Sequence, residues 1–242
     1  MQLDSMSVVL RPRTTWEGCD LGVRLLQSES RSVFACHIAV VLPWLAVCVA
    51  TFDIAPWLPA LLMWLSKPWL DRTILFALSR ALFRERTTPR DVWDAQRSVL
   101  WGQLVATLSL RRLSGSRAFT QPVYQLEGLS GATLRARLRQ LVPKHRGVAR
   151  LMTQAFAAAE LAVLASLFSL QAWLAPHHLP FSWSAFSLGE NGEQLLAILA
   201  YAVAITFVEP FYVAAGFGMY LNRRVELEAW DIEQEFRRAF AS

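Results

Sequence analysis

The sequence predicts an all-α, polytopic membrane bundle of about four transmembrane helices with amphipathic helices at its interfaces, on three observations. First, residues 195–221 form a 27-residue apolar run broken by one carboxylate, Glu209, and stopped by Asn222, Arg223 and Arg224. That run exceeds the roughly 20 residues an α-helix needs to cross a bilayer core, and an arginine pair is a common stop at the cytoplasmic face. Second, of 242 residues 54% are hydrophobic and only 18% charged, too apolar a balance for an ordinary soluble domain. Third, the basic residues flank the apolar runs and form no module of their own. The net charge of +5 therefore points to membrane topology and lipid contact, not to nucleic acid.

Taken in order, the elements form one integral domain over 1–242. Residues 1–32 read as a polar cytoplasmic lead with a short amphipathic helix near 16–26, and the absence of a short apolar stretch with a small-residue cleavage site predicts no cleaved signal peptide. The first span is 33–52, free of charge if His37 is neutral. Asp53, Ile54, Ala55 and Pro56 then make a turn too short to hold a domain. The returning segment, 57–83, carries Lys67, Pro68, Asp71, Arg72 and Arg80. Charges at membrane depth cost a few kcal/mol each, so they need a partner, water or a break in the helix. Two readings follow: a complete span kinked at Pro68, or a short hairpin followed by an interfacial helix.

Residues 84–150 are arginine-rich and cytoplasmic by the positive-inside rule. Within them, 98–110 is apolar but too short to span and is expected to lie on the membrane, while 134–141 looks like a basic helix. The third span is 151–175, and 176–194, with His177, His178, Glu190 and Glu193 but no lysine or arginine, is the matching non-cytoplasmic loop. The fourth span is 195–221. A charged amphipathic tail helix, 223–240, sets apolar residues at 225, 229, 232, 236 and 240 against its charged face. Four spans with both termini in the cytoplasm satisfy every charge asymmetry at once.

Intramembrane ionisable groups are functional candidates by default. Lys67, Asp71, Arg72, Glu160 and Glu209 make up the expected polar core. Glu209 and Arg72 reach similar depths of roughly 20 Å at 1.5 Å per residue, so a buried Arg72–Glu209 pair fits the geometry. A neutral Glu209 bonded to backbone freed by Pro210, and a transport or catalytic role, are the alternatives. In the tail, Arg223, Arg224, Glu228, Trp230, Asp231, Arg237 and Arg238 are the candidates for contact with a partner or the bilayer surface. Small residues also recur at helical spacing, Ala155, Ala158, Ala159, Ala162, Ala165, Ser166 and Ser169 in the third span and Ala214 with Gly218 in the fourth, which lets helices approach closely within the protomer or across a dimer.

Catalytic patterns are missing. The sequence has no glycine-rich phosphate loop, no His-Glu-x-x-His, no Gly-x-Ser-x-Gly and no Cys-x-x-Cys. Cys19, Cys36 and Cys48 lack ligand spacing, and the His177–His178 pair has no cysteine or carboxylate placed to complete a metal site. No catalytic, cofactor or metal residue is nominated, and the protein is expected not to be an enzyme.

Three stretches resemble a family of uncharacterised proteobacterial multipass inner-membrane proteins: 67–72 continuing to 78–83; 111–114 with Arg117, Phe119, Pro122, Val123 and 126–129; and 209–217 through 221–224 to 227–233. The start at Leu10, Arg11, Pro12, Arg13 and Thr14 also fits. The resemblance implies a bacterial inner membrane and a gene context of MoxR-type AAA+ ATPases and von Willebrand A-domain proteins, but no activity. Longer members continue to a domain of unknown function, DUF4129, whereas this sequence stops at Ser242. The multipass part is also distantly similar to the membrane domain of some glycerophosphodiester phosphodiesterases, whose separate catalytic domain has no counterpart here. The expected function is a non-enzymatic anchor or assembly component in the lipid bilayer for an AAA+ ATPase or von Willebrand A-domain partner, with homo-oligomers in scope. The rivals are a small transporter or channel subunit using Glu209, Glu160 and Arg72, and a lipid-active membrane enzyme drawing on Asp71, Arg80 and the arginines of 111–117.

Overall fold

Helix is the only regular structure among the described residues of the computed structural model, which are 13–102, 114–174 and 189–228. Helix α1 (Thr15–Ser28) starts where the sequence supplies a capping box: Thr14 Oγ1 accepts from the Glu17 amide, and the Glu17 carboxylate accepts from the Thr14 amide at 3.0 Å. Helices α2 (Ser30–Val49) and α3 (Leu58–Ala81) follow, joined by the expected tight turn. A second capping box, Thr88 with Asp91 and Pro89 at the first helical position, opens α4 (Pro89–Asp94), and α5 (Gln96–Val99) adds one turn. Then come α6 (Arg117–Gln125), α7 (Gly131–Leu141), a 3₁₀ turn at Pro143–His145, α8 (Arg146–Leu174) and the 40-residue α9 (Gly189–Glu228).

Three stretches are long and apolar enough to cross a membrane: Ser30–Val49, Pro143–Leu170 and Gln194–Leu227. The second expected span, 57–83, does not qualify on composition, because α3 holds Lys67, Asp71, Arg72 and Arg80 within its 24 residues. It is nonetheless one helix running through Pro68, not a short hairpin followed by a separate interfacial helix. The tail helix expected over 223–240 lies outside the described residues beyond Glu228. No glycine or proline follows Arg224 to end the helix, and an Arg223–Glu226 pair at 2.7 Å supports the next turn, so α9 continues through Asn222 to Glu228 without a break.

The C-terminal half of α9 is the hub. It is packed against α1, α2, α3, α6 and α8, and from Val208 to Asn222 only Phe211 escapes full burial. Two close backbone approaches make this possible. A Cβ on Gly22 would stand 1.9 Å from the Ala214 carbonyl oxygen, and one on Gly218 would stand 2.2 Å from that of Gly18. The small-residue pair in α9 therefore packs within the chain, against a matching Gly18–Gly22 pair in α1. The corresponding face of α8 does the opposite, leaving Ala155, Ala158, Ala159, Ala162, Ala165, Ser166 and Ser169 exposed.

Candidate functional site

The buried charges of α3, α8 and α9 meet in one place. Lys67 and Asp71 lie one turn apart on α3, so their side chains share a helix face. Lys67 Nζ stands 2.5 Å from Glu160 Oε2 on α8 and 3.0 Å from Glu209 Oε2 on α9. One ammonium thus bridges two carboxylates and ties three helices together.

The fourth wall comes from the arginine-rich segment. Arg117, the first residue of α6, turns its Nη2 to Glu209 Oε1 and, at 3.0 Å, to Asp71 Oδ2. The Asp71 contact with Arg117 is one of charge, both carboxylate oxygens being buried without a guanidinium N–H aimed at them, and the carboxyl also abuts that of Glu209. The guanidinium also lies over the Tyr212 ring, 5.2 Å from its centroid. Tyr212 Oη accepts from the Ala118 amide at 3.3 Å and meets Thr153 Oγ1 at 3.2 Å. Thr153 in turn lies 2.9 Å from the carbonyl oxygens of Gly115 and Ala149. The far end of α6 is held by Gln125, whose Nε2 donates to the Arg72 carbonyl at 2.8 Å. These bonds fix α6 against the bundle at both ends.

The expected Arg72–Glu209 pair is replaced by Lys67–Glu209 and Arg117–Glu209. Next to Asp71 in sequence, Arg72 is rotated by about 100° around the helix. Its Nε donates to the Val99 carbonyl at 2.5 Å and its Nη2 to that of Ser98 at 3.1 Å. It anchors the end of α5 to α3, helped by Trp69 Nε1 donating to the Leu100 carbonyl at 2.9 Å. Arg117 is the member of the cluster that the sequence reading did not place in the polar core. The signal lay in the charge count, because three carboxylates at membrane depth faced one lysine once Arg72 was engaged elsewhere.

Of the tail candidates, Arg223 and Arg224 are engaged within the chain. Arg223 Nη2 donates to the Gln140 carbonyl at 3.2 Å, and Arg224 Nη1 to Tyr220 Oη at 3.3 Å. Tyr220 passes its own proton toward Glu127 Oε1 at 2.7 Å, and Glu127 also pairs with Arg137 at 3.1 Å. The continuous helix keeps both residues beside α7 and the chain that leads into it, each still part-exposed. Glu228 is the last described residue of α9, but its side chain lies outside the described residues, as do Trp230, Asp231, Arg237, Arg238, His177 and His178.

Chemically, the site is a closed charge cluster. Two cations, Lys67 and Arg117, face three carboxylates, Asp71, Glu160 and Glu209, a formal balance of −1 with every group ionised. The space beside it is a cavity of about 140 Å³ bounded by Lys67, Arg117, Thr153, Glu160, Glu209 and Tyr212. That holds a few waters but falls short of the 300 to 1,000 Å³ typical of small-molecule sites. Among the described residues no three histidine, cysteine or acidic side chains converge as metal ligands would. Compared with known proteins, the chain matches no family model, no curated protein and no solved structure, so its function is read from these side chains.

Proposed function

We propose that this protein is a non-enzymatic membrane anchor, a four-span bundle of α2, α3, α8 and α9 in a bacterial inner membrane with both termini in the cytoplasm. The observation that carries the reading is the mutual closure of the cluster: Lys67 and Arg117 are saturated by Asp71, Glu160 and Glu209 at ion-pair distance. Charges spent on one another hold helices in register and leave little for a substrate. The same closure makes α3 tolerable as a span, since its Lys67 and Asp71 are compensated inside the bundle. On the resemblance to the MoxR-linked proteins, the anchored partner is an AAA+ ATPase or a von Willebrand A-domain protein meeting the cytoplasmic face.

The test is crosslinking and mild-detergent pull-down of the tagged protein from its native membrane, with a form lacking residues 229–242 as control. Recovery of a cytoplasmic ATPase or A-domain protein that is lost with the tail supports the anchor. A second reading, a small transporter or channel subunit, draws on the surplus carboxylate and the small cavity beside Lys67 and Glu160. Recovery of self-associated protein alone, with proton or cation flux into vesicles that Glu209→Gln abolishes while the folded yield is unchanged, would favour it over the anchor.

A further inference from the structure

A second group of cations has no such compensation. Between α6, α7 and the start of α8 lies a pocket of about 550 Å³ whose wall includes Arg135, Arg139 and Arg146, with the already paired Arg117 also on it. Among the described residues no carboxylate lines it, and Arg135, Arg139 and Arg146 have no acidic partner. Elsewhere on the same surface arginines are paired: Arg137, on another face of α7, with Glu127, and Arg223 with Glu226. Arg135 and Arg139 stand four apart on one helix, an arrangement that costs stability unless an anion sits between them. Ser114 and Ser116, their hydroxyls 3.1 Å apart, add polar groups to the wall, and Leu138 and Val142 give it an apolar floor.

Height along α8 says where the pocket sits. Trp173, exposed near the far end of α8, is 27 residues from Arg146, about 40 Å at 1.5 Å per residue. A bilayer has a core of about 30 Å and spans about 40–45 Å with its headgroups. With Trp173 at one interface, Arg146 falls at the headgroup level of the other. We infer that this pocket binds an anionic phospholipid, with the phosphate among Arg135, Arg139 and Arg146 and the first part of the acyl chains against Leu138 and Val142. Guanidinium groups suit this task because their planar N–H forks match phosphate oxygens.

The test uses the full chain purified in mild detergent and examined by native mass spectrometry and thermal unfolding. It is titrated separately with phosphatidylglycerol, phosphatidylcholine and inorganic phosphate. The expected result is one retained phosphatidylglycerol with a rise in unfolding temperature, and little effect of phosphatidylcholine. The double variant Arg135→Gln, Arg139→Gln, altered only at exposed positions, is expected to bind phosphatidylglycerol about 30-fold more weakly. The control Arg90→Gln, Arg97→Gln, which removes the same charge from exposed sites off the pocket, is expected to bind as the parent does. Equal weakening in the control would reduce the effect to general surface charge and overturn the site. Inorganic phosphate binding as tightly as the lipid would overturn the lipid assignment.

Discussion

Lys67 is the residue on which the buried charges depend, because its ammonium is shared by Glu160 and Glu209. Removing one partner from a buried ion cluster leaves charge without compensation, at a cost of about 3–5 kcal/mol. Lys67→Met and Arg117→Met are therefore expected to lose stability by that order, read as thermal or denaturant unfolding in detergent. Asp71→Asn should behave differently. It removes the surplus negative charge and leaves an amide able to donate to the neighbouring Glu209 carboxylate, so the change should stay within about 1 kcal/mol. If Asp71→Asn proved as damaging as Lys67→Met, the charge-balance account of the cluster would be wrong. The sequence revealed four of the five members, because charges inside apolar runs stand out. Arg117 stayed hidden among many arginines in a stretch whose composition signals cytoplasm, and only the packing of α6 distinguishes it.

At the scale of the element, α1 and α9 approach each other backbone to backbone. Ala214 and Gly218 were legible as a close-packing pair from their spacing. Their partner was not, because Gly18 and Gly22 fall in a polar lead that reads as a surface helix. Its mixed character is real: Trp16, at 50% exposure, faces outward, while Cys19, Leu25 and Leu26 are buried. Because a Cβ on Gly22 or Gly218 meets backbone oxygen at 1.9 or 2.2 Å, neither site can be relieved by turning a side chain. Gly22→Ala or Gly218→Ala is expected to push α1 off α9 and to cost about 1–3 kcal/mol. The readout is stability together with faster proteolysis within 15–28. Gly147→Ala supplies the contrast: its Cβ meets nothing within 4 Å, and the substitution should be neutral or slightly stabilising. Equal loss at all three glycines would mean that helix propensity, not the α1–α9 approach, sets the effect.

Across the whole molecule, apolar side chains turned outward on α2, α3, α8 and α9 outline a surface suited to lipid: Leu42, Trp57, Leu161, Trp173, Val203 and Phe207 are each at least 50% exposed. Trp57 belongs to this surface at the start of α3, the helix whose composition alone speaks against crossing. Three of its four charges are turned inward, Lys67 and Asp71 to the cluster and Arg72 to the α5 carbonyls, and Arg80 sits at its end beside Glu85, which hydropathy along the sequence cannot register. The proposed crossing of α3 makes a direct prediction. With α2 and α3 both spanning, Asp53 in their connecting turn and Arg86 beyond α3 lie on opposite sides of the membrane. Both are exposed, so Asp53→Cys and Arg86→Cys can report the two sides to a membrane-impermeant maleimide. The native thiols should stay silent, because Cys19, Cys36 and Cys48 are all buried, and burial, with Asp20 beside it, pushes the Cys19 thiol up to about 12. At neutral pH Cys19 is thus almost wholly the unreactive thiol, and its thiolate grows only as pH rises toward that value. In intact cells with a permeabilised outer membrane, Asp53→Cys is expected to label and Arg86→Cys to label only after the inner membrane is opened. Labelling of both from the same side would remove α3 from the spans, return the bundle to three crossings and put the two termini on opposite faces.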